Sequence, residues 1–217
     1  MRLAAPWYLH PAEHPDAWRR LCAGELGLAF AVINADNGPG RAPDPYYVDA
    51  LADGCRTPLV GYVFAGYGRR NSRDLRAEAR RWNEFYGITD VLIDGVPPAP
   101  LGQWELGVID QLRADGATRV IVNPGMAADP DLVEEADLTC VAEYSWEDYR
   151  RLPWTPLPEP WRPERIWHLV HSVPLADLDA AASEVDARGA GFGWVTDATL
   201  PNPWGRLPGR PAPGAPR

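Results

Sequence analysis

Lysine is missing from this chain: all 21 basic residues among its 217 are arginine. The arginines are scattered, which reads as codon bias rather than a built surface. Acidic residues outnumber them at 30, leaving a formal net charge of −9 and a pI near 4.9. A nucleic-acid binder concentrates basic residues on one face, so that class is disfavoured. Cysteine is scarce. Cys22, Cys55 and Cys140 are an odd number without C-x-x-C spacing, which fits neither a disulfide framework nor a zinc site. The four histidines form no H-x-H or H-E-x-x-H pattern, so neither a metal nor another cofactor is expected.

Long apolar runs are also absent. None approaches the roughly 20 residues of a membrane span, so no membrane partner is expected. Met1-Arg2-Leu3-Ala4-Ala5-Pro6 lacks the apolar stretch of about 7–15 residues that marks a secretory leader. As given, the chain reads as cytoplasmic, and as secreted if a leader has been removed. No G-x-S-x-G elbow is present, which disfavours a serine nucleophile. His10-Pro11-Ala12-Glu13, after the first candidate strand, is not the glycine-rich phosphate turn of an open nucleotide-binding sheet.

What the chain does have is a regular series of apolar runs. They cover residues 6–9, 28–33, 58–64, 90–93, 119–122, 138–142, 166–173 and 191–195, and are rich in Val, Ile, Phe and Trp. Helical spacing lies between them. Residues 74–86 align Leu75, Ala79, Trp82 and Phe85 behind Asn71 or Ser72 as the cap. Residues 103–114 align Leu106, Ile109 and Leu112, and 175–188 align Leu178, Ala181, Ala182 and Val185, each stopped by a glycine. Shorter helices are expected at 15–23, 46–52, 129–136 and 146–151. Strand and helix alternating eight times predict an α/β chain folded as a compact (β/α)8, TIM-like barrel, a single domain over residues 1–204. Residues 152–163 contain five prolines and read as an extended loop, and the Pro-, Gly- and Arg-rich 205–217 read as a disordered tail.

Two runs end in a carboxylate: Val91-Leu92-Ile93-Asp94 and Thr139-Cys140-Val141-Ala142-Glu143. A buried parallel strand is apolar throughout, so an acid at its end stands at the rim where barrel enzymes build their sites. Asp94 and Glu143 are therefore expected to share one pocket, as sugar hydrolysis requires of a carboxylate pair. A helix cap or an internal ion pair is the competing reading of each. The remaining strand ends offer Tyr8, His10, Asn34, Asp36, Asn37, Tyr67, Asn123, Tyr144, His171, Thr196 and Asp197. Asp36, Asn37, Asn123 and Asp197 adjoin Gly, Pro or helix starts, and turn or cap roles are equal alternatives for them. Ten tryptophans are many for this length. Trp82 belongs to a helix face, whereas Trp104, Trp146, Trp154, Trp161 and Trp204 lie in candidate loops, where an aromatic face either stacks on a sugar or packs against proline.

These motifs together resemble the spherulin-4-like family, whose characterised members are glycoside hydrolases. The resemblance is carried by Val32-Ile33-Asn34 with Gly38-Pro39-Gly40, Val60-Gly61-Tyr62-Val63 with Tyr67-Gly68, and Trp82 with Tyr86-Gly87-Ile88 and Asp94. It continues through Val122-Asn123-Pro124-Gly125, Ala136-Asp137 with Glu143, and Gly191-Phe192-Gly193-Trp194-Val195-Thr196-Asp197 leading to Leu200-Pro201-Asn202-Pro203-Trp204. It implies a (β/α)8 barrel and endo-hydrolysis of α-1,4-linked N-acetylgalactosamine stretches, as in galactosaminogalactan. In that pattern the fourth strand ends in Asp-Glu and a further Glu follows the sixth. Asp94 and Glu143 match the outer positions, and Gly95 stands at the middle one.

The expected activity is therefore cleavage of a polysaccharide containing galactosamine or N-acetylgalactosamine. Asp94 and Glu143 would be the catalytic pair, with Tyr8, Asn34, Asp36, Tyr67, Asn123, Tyr144, His171, Asp197 and Trp204 contacting substrate. Which acid donates the proton, and whether configuration is retained, stay open. A glycan-binding barrel without turnover is the alternative, motivated by Gly95. A barrel enzyme on a small metabolite ranks last.

Overall fold

In the computed structural model, which describes residues 1–97, 103–153 and 162–207, the apolar runs become parallel strands. Among the described residues these are β1 (Arg2–Trp7), β2 (Phe30–Ile33), β3 (Leu59–Phe64), β4 (Asp90–Asp94), β5 (Val120–Asn123), β6 (Leu138–Ser145), β7 (Ile166–His171) and β8 (Phe192–Val195). Each pairs with the next and β1 pairs with β8, so the sheet closes into the (β/α)8 barrel that the alternation predicts. The helices between them are α1 (Pro15–Cys22), α2 (Pro45–Leu51), α3 (Ser72–Tyr86), α4 (Gln103–Ala114), α5 (Pro130–Glu135), α6 (Trp146–Arg151) and α7 (Leu178–Ala187).

Local chemistry accounts for these boundaries. Asn71 caps α3 by accepting from the Asp74 N–H, and Gly87 ends it in the left-handed conformation that a side chain resists. Asp44, Asp129 and Ser145 cap α2, α5 and α6. The indole of Trp82 on α3 lies over Gly61 on β3, where a Cβ would come within 2.4 Å of the ring. Its Nε1–H donates to the Tyr62 carbonyl at 2.8 Å, which docks α3 on the strand.

Three expectations shift. The first strand begins at Arg2 rather than residue 6, because Leu3-Ala4-Ala5 carries no β-branched signature yet is buried in the barrel. Pro6 is tolerated there because the β1–β8 ladder ends at Leu3. No helix follows β8 among the described residues; the chain turns back instead, burying Trp204 against the main core. Residues 205–207, expected within the tail, are held: Arg206 pairs with Asp197 at 2.9 Å and Leu207 packs on the core. The rest of the expected tail, most of the proline-rich loop, and the side chains of Trp104, Trp154 and Trp161 lie outside the described residues.

Candidate active site

β4 and β5 run in register with Asp94 opposite Asn123. Asn123 Nδ2 donates to Asp94 Oδ1 at 2.9 Å and to Glu143 Oε2 at 2.6 Å. Two oxygens at 2.9 and 2.6 Å from one nitrogen cannot stand more than 5.5 Å apart. The second oxygen of each acid is also occupied. Tyr62 donates to Asp94 Oδ2 at 2.7 Å, and Trp204 Nε1 donates to Glu143 Oε1 at 3.1 Å.

Glu143 reaches this place through a bulge in β6. The pairing with β7 slips between Cys140 and Ala142, leaving Val141 without a partner. Cys140 belongs to the main core, whereas Val141 and Ala142 both pack in a second cluster between β6–β8 and helices α6 and α7. The extra residue inverts the alternation beyond it. Glu143 consequently faces the barrel mouth and Tyr144 packs outward on the second cluster.

Desolvation raises the proton affinity of both acids. For Asp94 it is opposed by donors from Tyr62, the Gly95 N–H and Asn123. For Glu143 it is opposed by Asn123 and Trp204 and reinforced by the charge of Asp94. Tyr8 stands beside the pair. Its ring meets Tyr62 edge-on at 5.7 Å, and burial, then the nearby Asp94, lift its phenol well above the usual range. The Tyr8 N–H donates to the Trp204 carbonyl at 3.2 Å, so the returning C-terminal segment is tied to the end of β1. His171 abuts Trp204 at 6.1 Å and shares a 2.9 Å hydrogen bond with Ser172; burial lowers its pKa. Tyr67 is 64% exposed with φ +57° and rests edge-on against Phe64. A non-glycine residue held left-handed at a site's edge marks a conformation imposed by its surroundings. Here Arg70 braces the turn by donating to the Phe64 carbonyl and to Glu78.

The family described as "Spherulation-specific family 4" matches residues 2–210. The chain belongs to that family. No curated protein sequence matches it. Among solved structures it is similar to Aspergillus clavatus Sph3, crystallised in complex with GalNAc. The two are 20% identical with a TM-score of 0.81, over 96% of this chain and 93% of that one. It is also similar to active domain 2 of a Pyrococcus furiosus chitinase complexed with chito-oligosaccharides, at 12% identity and a TM-score of 0.56, over 95% and 90%. A putative dihydrodipicolinate synthetase from Pseudomonas aeruginosa follows at 15% identity and 0.54, over 90% and 70%. At these identities the likeness speaks to the fold.

Within this spherulation-specific family 4 barrel, Asp94, Glu143, Asn123, Tyr8, Trp204 and His171 converge. Other candidates hold loops. Asn34 Oδ1 accepts from the Gly38 N–H at 2.8 Å, and its carbonyl accepts from Tyr47, so it braces the loop after β2. Asp36 is exposed on that loop. Asp197 is engaged by Arg206, and His10 lies 3.3 Å from Asp44 beside Tyr46 and Tyr47. Trp146 is buried against Tyr149. Gly95 adopts φ +64°, and a Cβ on it would come within 2.5 Å of the Phe64 ring. Phe64 thus fills the place from which a side chain after Asp94 would start. Tyr62 went unrecognised as a site residue because a tyrosine inside an apolar run reads as core. Its sole signal is polarity two residues before a strand end. Among the described residues, no group of three or more His, Cys, Asp or Glu is arranged to hold a metal ion.

Proposed function

We propose that this protein is a glycoside hydrolase acting on a polysaccharide that contains N-acetylgalactosamine or galactosamine, cleaving within α-1,4-linked stretches. The observation that carries the reading is a pair of desolvated carboxyls that share one amide donor, their near oxygens no more than 5.5 Å apart. Family membership and a GalNAc-complexed structural relative support the sugar class. Near oxygens this close favour a double displacement with retained configuration, for which carboxyls stand about 5–5.5 Å apart, over inversion, which needs about 6.5–9.5 Å to admit a water.

The donors divide the roles. Asp94 receives three, from Tyr62, Gly95 and Asn123, which favour its anion. It is the nucleophile: one oxygen attacks C1 as the glycosidic C–O bond breaks. Glu143 receives two, and the charge of Asp94 favours its protonated form. It is the acid: its proton passes to the leaving oxygen. Glu143 then takes a proton from the water that attacks C1 and releases Asp94. Tyr67, 64% exposed, offers the aromatic face against which the sugar lies, with Tyr8 and Trp204 beside the carboxyls.

The test is reducing-end release from a galactosamine-containing polymer by wild type, Asp94→Asn and Glu143→Gln, with the product anomer read by proton NMR. Each substitution is expected to lower turnover at least about a thousandfold, since each removes a group that takes part in bond making. Equal activity in all three proteins sinks the assignment. Gly95 favours the second reading, a glycan-binding barrel without turnover; binding with no release by wild type over long incubation would establish it.

A further inference from the structure

We propose that Asn123 is a positioning residue: its amide group locks the Asp94 and Glu143 carboxyls at one spacing, each turned toward it as an acceptor. The inference draws its catalytic meaning from the hydrolase reading, but its physical content is independent of any substrate.

Three observations carry it. Both hydrogens of the Asn123 amide are committed, one to Asp94 Oδ1 and one to Glu143 Oε2. The residue is 6% exposed and both amide hydrogens are taken, so no donor is left for a sugar hydroxyl. Its Oδ1 is buried with no hydrogen-bond partner. Folded proteins rarely leave a buried carbonyl oxygen unbonded. A half-turn of the amide would aim this oxygen at two carboxylate acceptors, which is worse. The orphan oxygen is therefore the consequence of turning the NH2 inward. When both carboxyls are ionised they repel at this distance, and one neutral group with a hydrogen for each satisfies both without adding a charge that would itself need a partner.

The other titratable groups facing the pair are Tyr62 from β3, Tyr8 from the end of β1 and Cys140 from β6. Burial pushes all three upward, so they stay neutral across the range where carboxyls titrate. His171, behind Trp204, is pushed downward. The groups facing the pair that ionise in the acid range are thus the two carboxyls themselves, tuned by the neutral amide between them, with His171 titrating behind Trp204.

The test follows the side-chain carboxyl carbons of Asp94 and Glu143 by 13C NMR against pH, in wild type and Asn123→Ala, beside kcat and KM on the polymer. Loss of the shared donor is expected to move both midpoints to higher pH by about one unit. Both limbs of the pH–rate profile follow in the same direction, and kcat falls about a hundredfold with KM within about threefold. If the alanine variant does not fold, Asn123→Asp keeps the shape, removes the donors and adds a charge, and both midpoints move further upward. Midpoints that coincide with wild type in the variant overturn the proposal, whatever happens to activity. A wild type that cleaves no polymer overturns the hydrolase reading alone, because the titration stands without substrate.

Discussion

Asp94 and Glu143 carry the same charge in one pocket, yet their partners differ in kind. Tyr62 can donate to Asp94 or accept from it, whereas Asn123 and Trp204 can only donate to Glu143. An amide at position 94 can therefore turn its NH2 toward the Tyr62 oxygen and keep its bonds to Tyr62 and Asn123. An amide at position 143 must set its NH2 against a donor. Desolvation raises both carboxyls, so the native protein holds their protons to higher pH than the unfolded chain does. The sign follows: this contribution to stability is complete below the unfolded pKa and declines as pH rises through the raised native values. Asp94→Asn removes a desolvated charge and is expected to raise Tm at pH 7 by about 2–4 °C, roughly 1 kcal/mol for a chain of this size. The gain shrinks toward pH 4, where wild type also binds the proton. Glu143→Gln is expected to show no gain at either pH. Thermal melts of the three proteins at both values check this, and a larger gain for Glu143→Gln would reverse the donor assignment. Both acids were legible in the sequence because a charge that ends an apolar run has no reason to be there as core. Tyr62 was not, because its hydroxyl acquires meaning only when β4 brings Asp94 beside it.

At the scale of elements, two features of β4 and β6 shape the site, and neither has a compositional mark. The extra residue Val141 looks like any strand valine, yet it decides that Glu143 rather than Tyr144 faces the mouth. The run by itself therefore leaves both side chains as candidates. Strand order and most helix positions were legible, since apolar periodicity and caps are local; the start of β1 was not, because alanines fill the barrel without favouring a strand. After β4, Gly95 is left-handed and the Phe64 ring occupies its Cβ direction. Supplying the acid that the family pattern has there therefore does more than add a side chain. Gly95→Glu combines backbone strain with overpacking, together about 2–3 kcal/mol, and is expected to lower Tm by about 5–10 °C without raising activity. Adding Phe64→Ala to Gly95→Glu removes the clash and leaves the strain, so part of the Tm returns. A Gly95→Glu protein that melts with wild type would mean that the ring yields freely and that its position is no barrier.

Across the whole molecule, the barrel is joined unevenly. β6 and β7 share six register pairs, whereas β1 and β8 share two. The seam closes further along through side chains and loops rather than ladder bonds. Tyr8, just beyond β1, gives its N–H to the Trp204 carbonyl, and Trp204 reaches across the mouth to Glu143. The segment after β8 thus ties the last strand to the first and completes the environment of a catalytic candidate at once. The Arg206–Asp197 pair adds little, since its guanidinium is half-exposed and such pairs contribute about 0–1 kcal/mol. The burial of Trp204 dominates, at about 3–5 kcal/mol for loss of a buried tryptophan. Chains ending at residue 203 and at residue 207 test the segment as a unit, because they differ only in Trp204 and the three residues after it. The shorter chain is expected to keep the circular dichroism of the barrel, melt about 10 °C lower and lose at least about a hundredfold in turnover relative to the longer one. Its alkaline activity limb should also move to higher pH, since Glu143 has lost a donor that favours its anion. Equal turnover with an unmoved limb would show that the indole caps the seam without touching the chemistry.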